Sequence, residues 1–311
     1  NGALGVALEE RTHTVEIDEA AAGARLDRAL ADGLGVSRAR VRHLLEVGRI
    51  RVDEATLQLA DKSRAVAAGE RYAIEGALEA EAERPIPRPD LPLEIVGEGE
   101  GWLCVDKPAG CGVHPLRPDQ DDTVLNALVA RRPGIVGIGE SGLRSGVVHR
   151  LDVGTTGALL FASDEECWRR LRGAFSAHRL DKRYLALVSG RLEERRRVDL
   201  PLAITRHQPA HVSVRDDGRP TRQRVTPLEV FADATLVEVR LETGFLHQIR
   251  ASLAHVGHPL VGDPDYGGPA PDAAGRPMLH AARLRFDEIS VTVDPPSDFQ
   301  AAVDARRANA G

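Results

Sequence analysis

Apolar and polar residues follow two different periods in the first quarter of the chain. Apolar residues recur at helical spacing across 26–30, and Ser37 and Gly48 are suited to begin and end a second helix. Residues 49–52 alternate as in a strand, and so do residues 72–74. The pattern predicts a small unit made of two helices and short strands.

Strand and helix patterns also alternate in the longer remainder of the chain. The strand patterns occupy 93–96, 102–105, 182–190, 237–241 and 289–293, and the helical patterns occupy 123–132, 166–175 and 246–256. Ser163 and Glu166 are spaced as a capping box and predict the start of the second of these helices. Residues 1–13 and 294–311 carry no comparable pattern, so we expect a loose leader and a weakly ordered tail.

A segment rich in proline separates the two parts of the chain. Prolines stand at every second position from Pro85 to Pro89, and Pro92 follows them, among several acidic residues. Prolines at this spacing favour an extended, semi-rigid linker. The predicted parts are an N-terminal domain, a linker, a second domain and a tail, at 14–76, 77–92, 93–293 and 294–311.

The composition is that of a folded chain without a metal framework. Of the 311 residues, 42% are hydrophobic and 28% are charged, which allows a buried core and argues against a disordered chain. The three cysteines form no C-x-x-C pair, so neither a zinc nor an iron-sulfur site is indicated. A sparse, odd set of cysteines fits a reducing compartment. No apolar stretch approaches the roughly 18 residues of a membrane helix, and no signal peptide is visible, so we expect a soluble cytoplasmic protein.

Positive charge is concentrated near the N-terminus, although the net charge of the whole chain is -6. Residues 36–51 contain five arginines and a single acid, Glu46. Arg38 and Arg42 are four residues apart, so they share one face of the predicted helix. Such a run is usually a solvated helix face, and the alternative is a patch that contacts nucleic acid. A second arginine-rich stretch, 191–224, is interpreted either as a hairpin that touches phosphates or as a solvated run.

A polar turn within residues 146–162 holds the most concentrated candidate chemistry. Apolar runs at 147–148 and 158–162 flank it, and this pattern predicts a loop held between two buried strands. Asp152 lies close to Arg150 in this turn, and a carboxylate beside an arginine tends to stay ionised, as a nucleophile must. From spacing alone, an aspartate that merely caps the turn is the more common outcome.

The same turn carries a motif of a known enzyme family. The stretch HRLDVGTTG at 149–157, followed by an apolar strand, resembles the HRLD signature of the RluA-type pseudouridine synthases. The resemblance implies that Asp152 is the catalytic nucleophile and that His149 and Arg150 contact the substrate. Two positions depart from the family pattern. Gly154 stands where an aspartate is common, and a threonine replaces the usual serine two residues later.

Further blocks resemble the same family. The stretch KRYLALVSG at 182–190 resembles a strand whose tyrosine stacks on the target base, which assigns that catalytic role to Tyr184. The block at 243–267 resembles the motif whose arginine forms an ion pair with the nucleophile, which assigns Arg250 as the partner of Asp152. Phe245-Leu246 replaces the usual Arg-Thr of that motif, a change that we interpret as the loss of a phosphate or supporting contact.

The block VDKPAG followed by VHP, at 105–115, also resembles the family. Its Pro and Gly residues fix the backbone, so we interpret Lys107 and His114 as residues that order the floor of the pocket. The resemblance extends from about Arg25 to Val293 in five ordered blocks. A chance match of one block is easy, and a chance match of all five in order is not.

The N-terminal part resembles a different, smaller family. Residues 25–52 and 69–75 are similar to the RNA-binding domain first described in ribosomal protein S-four. That family presents its second helix and the following turn to the RNA backbone. The implied contacts are Arg38, Arg42 and Arg49.

These resemblances imply one fold and one reaction. The fold is α+β, with a catalytic domain built on a long mixed, mostly antiparallel sheet flanked by helices and with a small N-terminal α/β RNA-binding domain. The reaction is the isomerisation of uridine to pseudouridine in RNA, by a monomer without a metal or cofactor. Ribosomal RNA of the large subunit is the expected substrate, and transfer RNA is the alternative.

Two functions of other classes stay open from the sequence. The departures at Gly154 and Phe245-Leu246 motivate a non-catalytic RNA-binding or ribosome-assembly protein of the same fold. An aspartate nucleophile at a sugar motivates a hydrolase of a glycosidic bond. Glycosidases commonly use two carboxylates, and no convincing second carboxylate accompanies Asp152.

Overall fold

The computed structural model describes residues 12–36, 38–75, 84–140, 142–269 and 275–308. The chain divides into two compact units, Asn1–Glu83 and Arg84–Gly311. Each unit has its own hydrophobic core. Parts of four predictions lie outside the described residues: residues 1–11 of the leader, the N-cap Ser37, residues 77–83 of the linker and residues 309–311 of the tail.

The N-terminal unit combines two helices with an antiparallel sheet. Its elements are β1 (Thr12–Glu16), α1 (Leu26–Leu34), α2 (Arg38–Glu46), β2 (Ile50–Val52), β3 (Ala55–Thr56) and β4 (Arg71–Glu75). The strands lie in the order β1-β4-β2-β3. Leu26, Leu30, Val41, Leu45 and Ile74 are fully buried, because the apolar positions of both periods face one core. The predicted pair of helices with short strands is confirmed.

A buried carboxylate ties α1 to α2. The Asp27 side chain is fully buried and accepts hydrogen bonds from Arg25, Arg38 and Arg42 at 3.1, 2.8 and 3.0 Å. Burial by itself raises the pKa of Asp27, but the three guanidinium groups outweigh it and hold that pKa well below its usual range. Arg38 and Arg42 share one helix face as predicted, and both side chains stay about half exposed while they neutralise Asp27.

The C-terminal unit is built on one long sheet. Its strands are β5 (Glu94–Gly99), β6 (Trp102–Lys107), β7 (Thr156–Ala162), β8 (Asp181–Ser189), β9 (Arg196–His207), β10 (Ala210–Val214), β11 (Arg219–Val230), β12 (Ala234–Leu241), β13 (Leu279–Phe286) and β14 (Ile289–Thr292). They lie in the order β10-β9-β11-β12-β8-β13-β7-β6-β5, and β14 pairs with β13. Among these pairings, that of β13 with β7 is parallel and the others are antiparallel. The expected mixed, mostly antiparallel sheet is confirmed.

Helices cover both faces of this sheet. They are α3 (Val124–Arg131), α4 (Glu165–Ser176), α5 (Gln248–His255) and α6 (Ser297–Ala308). Apolar residues of α3 and α5 pack in one core with Leu103 and Leu159, and those of α4 pack in another with Cys104 and Leu160. Neighbouring residues of one strand point to opposite faces, so both faces of the central strands are apolar.

Three local predictions are wrong. Residues 147–148 form no strand, since their ladder contact is a single bridge between Val147 and Phe161. Helix α4 is capped by Asp164, whose side chain accepts a hydrogen bond from the backbone amide of Cys167 at 2.7 Å, rather than by Ser163. The predicted weakly ordered tail contains α6, and Phe299 of this helix is almost fully buried.

Gly157 allows the parallel pair of strands to meet. Its φ angle is 108°, a value that side chains with a Cβ rarely adopt. A Cβ at this position would lie 2.4 Å from the carbonyl oxygen of Ala281 in β13. Gly157, the last residue of the HRLDVGTTG stretch, is therefore needed for a structural reason. The absence of a side chain lets β7 approach β13 directly after the loop of Asp152.

Candidate active site

A cavity of about 930 Å³ gathers residues from distant parts of the C-terminal unit. Its walls come from the loop 149–155, from β8 and from the segment 244–250 at the start of α5. The five residues that the resemblance places in the site of this unit all line the cavity: His149, Arg150, Asp152, Tyr184 and Arg250.

Lys107 fixes the loop that carries Asp152. Its side chain is fully buried, and its ammonium group donates hydrogen bonds to the carbonyl oxygens of Pro108, Val153 and Thr155 at 2.8, 3.1 and 2.9 Å. Three acceptors match the three hydrogens of an ammonium group. Burial lowers the pKa of Lys107 to about 8, because the surroundings disfavour the charged form. This geometry agrees with the interpretation of Lys107 as a residue that orders the pocket floor.

Arg276 holds another carbonyl of the same loop. Its Nη1 atom donates to the carbonyl oxygen of Gly154 at 3.2 Å, and its Nε and Nη2 atoms donate to Asp298 of α6 at 2.6 and 2.9 Å. A Cβ at position 154 would lie 3.0 Å from Cδ of Pro277, so there is little room for a side chain. The departure from the family pattern at Gly154 therefore coincides with close packing against Pro277.

The guanidinium group of Arg250 faces three carboxylates. Its Nη1 atom lies 3.8 Å from Oδ2 of Asp152, whereas its Nε and Nη2 atoms each lie 2.7 Å from an oxygen of Asp263. Nη2 also lies 3.3 Å from Asp265. Burial alone lowers the pKa of Arg250, but the hydrogen bonds to Asp263 and the nearby Asp152 raise it above its ordinary value. The expected pairing with Asp152 is present as a long ion pair, and the closer partner is Asp263.

His247 approaches Asp152 from the start of α5. His247 is the residue directly before the helix, and its backbone is left-handed, with a φ of 51°. Its Nε2 atom lies 4.0 Å from Oδ1 of Asp152, and its Nδ1 atom shares a hydrogen bond of 2.9 Å with the hydroxyl of Tyr266. Burial lowers the pKa of His247, and the Asp152 carboxylate opposes this shift only in part.

Tyr184 and Lys182 line the cavity from β8. Tyr184 is buried together with Ala186 and Val188, so the predicted alternation of this strand is confirmed. Burial, aided by the charge of Asp152, raises the pKa of Tyr184 well above its usual range, so the phenol stays neutral. Lys182 donates a hydrogen bond of 3.2 Å to the carbonyl oxygen of residue 243, and burial lowers its pKa to about 8.

His149 and Arg150 are neighbours with different surroundings. The Nε2 atom of His149 accepts a hydrogen bond from the backbone amide of Leu160 at 2.9 Å, and its ring stacks on Phe175 with centroids 4.6 Å apart. Burial lowers the pKa of His149 to about 3, so this imidazole is neutral. Arg150 is exposed and forms no ion pair with any residue in the described part of the chain.

Comparisons with known proteins agree with this geometry. The sequence profile of the RNA pseudouridylate synthase family matches residues 101–255. The ribosomal large subunit pseudouridine synthase D of Zymomonas mobilis is 34% identical to this chain, over 93% of the chain and 96% of the relative. The protein of the same name from Pseudomonas aeruginosa is 38% identical, over 79% and 74%. The chain belongs to the RNA pseudouridylate synthase family. It is therefore an isomerase that acts on RNA.

Two solved human structures share the fold of this synthase. Human RNA pseudouridylate synthase domain containing 4 has a TM-score of 0.57 at 20% identity, and it covers 69% of this chain and 93% of its own. Human RNA pseudouridylate synthase domain containing 1 has a TM-score of 0.53 at 28% identity, and it covers 69% and 87%. Both comparisons confirm the expected α+β fold.

The second departure from the family pattern is the apolar pair Phe245-Leu246. Phe245 and Leu246 pack against a small buried cluster of Leu202, Val212 and Ala251. This cluster joins β9 and β10 to α5, the helix that carries Arg250. The apolar pair therefore packs on this cluster, and both of its residues also line the large cavity.

Three predicted RNA contacts of the synthase lie outside this cavity. Arg38, Arg42 and Arg49 belong to the N-terminal unit, and the first two pair with Asp27. Arg49 is exposed and pairs with no carboxylate of a described residue. The contact of these arginines with RNA stays a prediction.

The motif comparison did not assign Asp263 or Arg276 to the site. Asp263 is fully buried against Arg250. It ends the stretch GHPLVGD at 257–263, which belongs to the block that resembles the family, so the sequence contained a motif that could have indicated it. Arg276 lies outside the stretches that resemble the family motifs, and no local pattern connects it to Gly154.

Among residues with a described placement, no group of three His, Cys, Asp or Glu side chains could hold a metal ion. Cys104, Cys111 and Cys167 are free thiols. No helix in the described ranges is long and apolar enough to cross a membrane.

Proposed function

We propose that this synthase converts uridine to pseudouridine in the RNA of the large ribosomal subunit, with Asp152 as its nucleophile. The observation that carries the proposal is the position of the Asp152 carboxylate, which lines the large cavity 3.8 Å from Nη1 of Arg250 on a loop held by Lys107. The names of the relatives from Zymomonas mobilis and Pseudomonas aeruginosa support the substrate class. Large-subunit RNA is made in the cytoplasm of such bacteria, where we place the enzyme.

The reaction is an isomerisation, so no atom enters or leaves overall. The bond between N1 of the uracil and C1′ of the ribose breaks, the uracil rotates, and a bond forms from its C5 to the same C1′. C5 then loses its hydrogen as a proton and N1 gains a proton, so the atoms balance. Asp152 assists the cleavage as an ionised carboxylate, either at the uracil ring or at the ribose. Arg250 supplies the opposing charge and aims this carboxylate, while Asp263 holds the guanidinium in place.

The target base has to leave its stack before Asp152 can reach it. Tyr184 lines the cavity with a neutral aromatic ring, which suits stacking on the uracil. Arg150 is exposed, planar and long enough to fill the gap left in the RNA. His149 supports this arrangement indirectly, because its Nε2 atom is already bonded to the amide of Leu160.

The N-terminal unit contributes affinity in this proposal. Arg49 is the clearest phosphate contact, since Arg38 and Arg42 also neutralise Asp27. Every residue assigned to the reaction belongs to one chain, which is compatible with the monomer that we propose.

The test is product formation on unmodified transcripts. Purified protein is incubated with large-subunit ribosomal RNA and, separately, with transfer RNA, and pseudouridine is mapped in each. We expect product in the ribosomal transcript and none after Asp152→Asn, because the amide is nearly isosteric but not nucleophilic. Asp122→Asn is the matched control, since it removes another carboxylate that lines the cavity and should keep activity.

Four results would contradict parts of this proposal. Normal product from Asp152→Asn would remove Asp152 from the mechanism. Product in transfer RNA alone would change the substrate. Release of free uracil would indicate a hydrolase, and RNA binding without any product would indicate a non-catalytic protein.

A further inference from the structure

A second, smaller cavity lies beside the one that holds Asp152. Its volume is about 410 Å³. Its charged and titratable lining residues are all basic or imidazole groups, from three separate stretches of the C-terminal unit: Arg144, His149, Arg150, Arg172, His178 and Arg219. No acidic residue of the described chain lines it. Such a concentration of guanidinium groups favours an anion.

Only part of this positive charge is neutralised by the protein. Arg144 and Arg172 both pair with one carboxylate, Glu140, and the distance from Nη2 of Arg172 to Oε1 of Glu140 is 3.3 Å. Arg150 and Arg219 are exposed and have no carboxylate partner among the described residues. The charges of Arg150 and Arg219, and one of the two charges of Arg144 and Arg172, are therefore not neutralised by a carboxylate of the described chain.

The surroundings of His178 also carry an excess of positive charge. It has a left-handed backbone with a φ of 56°, and its Nδ1 atom is buried without a hydrogen-bond partner in the described structure. Burial lowers the pKa of His178, and the charges of Lys182, Arg219 and Arg222 lower it further. A bound anion would compensate this local excess of positive charge.

The two cavities share one wall. His149, Arg150 and Phe175 line both of them, and the rings of His149 and Phe175 are stacked with their centroids 4.6 Å apart. A nucleotide whose base occupies the large cavity would thus have its flanking backbone near the small one. In RNA, every nucleotide brings one phosphate, and arginine binds phosphate through paired hydrogen bonds.

We propose that the small cavity, with Arg219 and Arg172 as its principal side chains, binds a backbone phosphate of the RNA next to the target uridine. This site deepens the proposed function and rests on it. It accounts for the arginine-rich stretch 191–224 in part, because Arg219 begins β11 and lies in the cavity wall, not in a fully solvated run.

The experiment measures RNA affinity of the full-length protein against salt. Transcribed large-subunit ribosomal RNA is titrated by filter binding at several potassium chloride concentrations. Each phosphate contact contributes about 0.7 to 0.9 to the slope of log affinity against log salt. Arg219→Gln should lower the slope by about this amount, and Arg219→Lys should restore most of it. Arg219 makes no ion pair in the described structure, so its loss should leave the fold intact.

A matched control removes the same charge from outside the cavity. Arg169 lies on α4 with Arg172, is largely exposed and pairs only at 3.7 Å with Glu165. Arg169→Gln should leave the slope unchanged, whereas Arg172→Gln should lower it. An unchanged slope for Arg219→Gln, or an equal fall for Arg169→Gln, would overturn the proposal.

A second arm locates the phosphate and separates it from free phosphate. Once the uridine is mapped, short RNAs carry an uncharged methylphosphonate on one side of it or the other. One of these replacements should weaken binding by the wild type and have little effect on Arg219→Gln. Equal losses in both proteins would overturn the assignment, and so would calorimetric binding of inorganic phosphate that Arg219→Gln abolishes while the RNA slope is kept.

These measurements need no turnover. A wild type that makes no pseudouridine contradicts the proposed function, whereas the slopes test the cavity separately.

Discussion

Removal of the charge of Arg250 should affect stability and activity through two different carboxylates. Asp263 is fully buried and receives two hydrogen bonds of 2.7 Å from Arg250. Arg250→Met keeps the bulk but leaves this charge buried without its partner, which destabilises a fold by about 3 to 5 kcal/mol. Asp152 is 22% exposed in its side chain, so water can replace part of the lost interaction there.

The second carboxylate determines the effect on the reaction. At an effective dielectric constant of about 20, unit charges near 4 Å apart attract by about 4 kcal/mol. Asp152 and Arg250 are separated by 3.8 Å. Loss of one charged group that stabilises a reacting centre commonly slows the chemical step by about 10² to 10³. We expect Arg250→Met to lose activity to this extent in the fraction that stays folded.

A double variant separates the two effects. Asp263→Asn removes the buried charge, so Arg250→Met combined with Asp263→Asn should regain a large part of the stability. It should not regain the rate, because Asp152 still lacks its opposing charge. Arg250→Lys keeps the charge and loses the two-fold hydrogen bonding, so its rate should fall less than that of Arg250→Met.

The assays are urea unfolding and single-turnover formation of pseudouridine. Arg191→Met is a control for the loss of an arginine, since Arg191 and Glu193 form an exposed pair. It should change the free energy of unfolding by less than about 0.5 kcal/mol. Wild-type stability of Arg250→Met, or recovery of the rate in the double variant, would refute the reasoning.

Two further predictions concern the arginines of the N-terminal unit and the buried Lys182 of β8. Arg49→Gln should lower the salt slope of RNA binding without changing stability, whereas Arg42→Gln should destabilise the N-terminal unit because it removes a partner of buried Asp27; equal stability of both variants would contradict this. Burial lowers the pKa of Lys182 from 10.5 to about 8, so the unfolded chain binds more protons between these values. The free energy of unfolding should therefore rise from pH 8 to about pH 10 relative to Lys182→Met, and parallel denaturation curves would argue against the shift.

Local periodicity was sufficient for most elements of the fold. The alternation of Tyr184, Ala186 and Val188 predicts correctly that these side chains share one face of β8, because successive side chains of a strand point to opposite faces. The helical spacing of apolar residues over 123–132 likewise predicts α3 correctly. Helix α6 was missed, because its buried apolar residues are few, chiefly Phe299 and Val303, and it is held by packing on the sheet and by the pair of Asp298 with Arg276.

The sequence motifs also selected the residues that line the large cavity. Asp152, Tyr184 and Arg250 stand in separate blocks, and the structure brings them into one wall. The motifs could not show that Asp263 is the closer partner of Arg250. Asp263 and Asp265 are two residues apart, and only the path of the chain after α5 decides which carboxylate is buried.

The sequence by itself determined the family, most of the elements and the candidate nucleophile, since these depend on local spacing and on motifs. The tertiary structure alone decided how the loop of Asp152 is held. Lys107 donates to a carbonyl 48 residues away, and Arg276 donates to one 122 residues away. Hydrogen bonds of this kind depend on which distant segments come together in space. The spacing of apolar residues along one helix or strand indicates only which of its faces is buried.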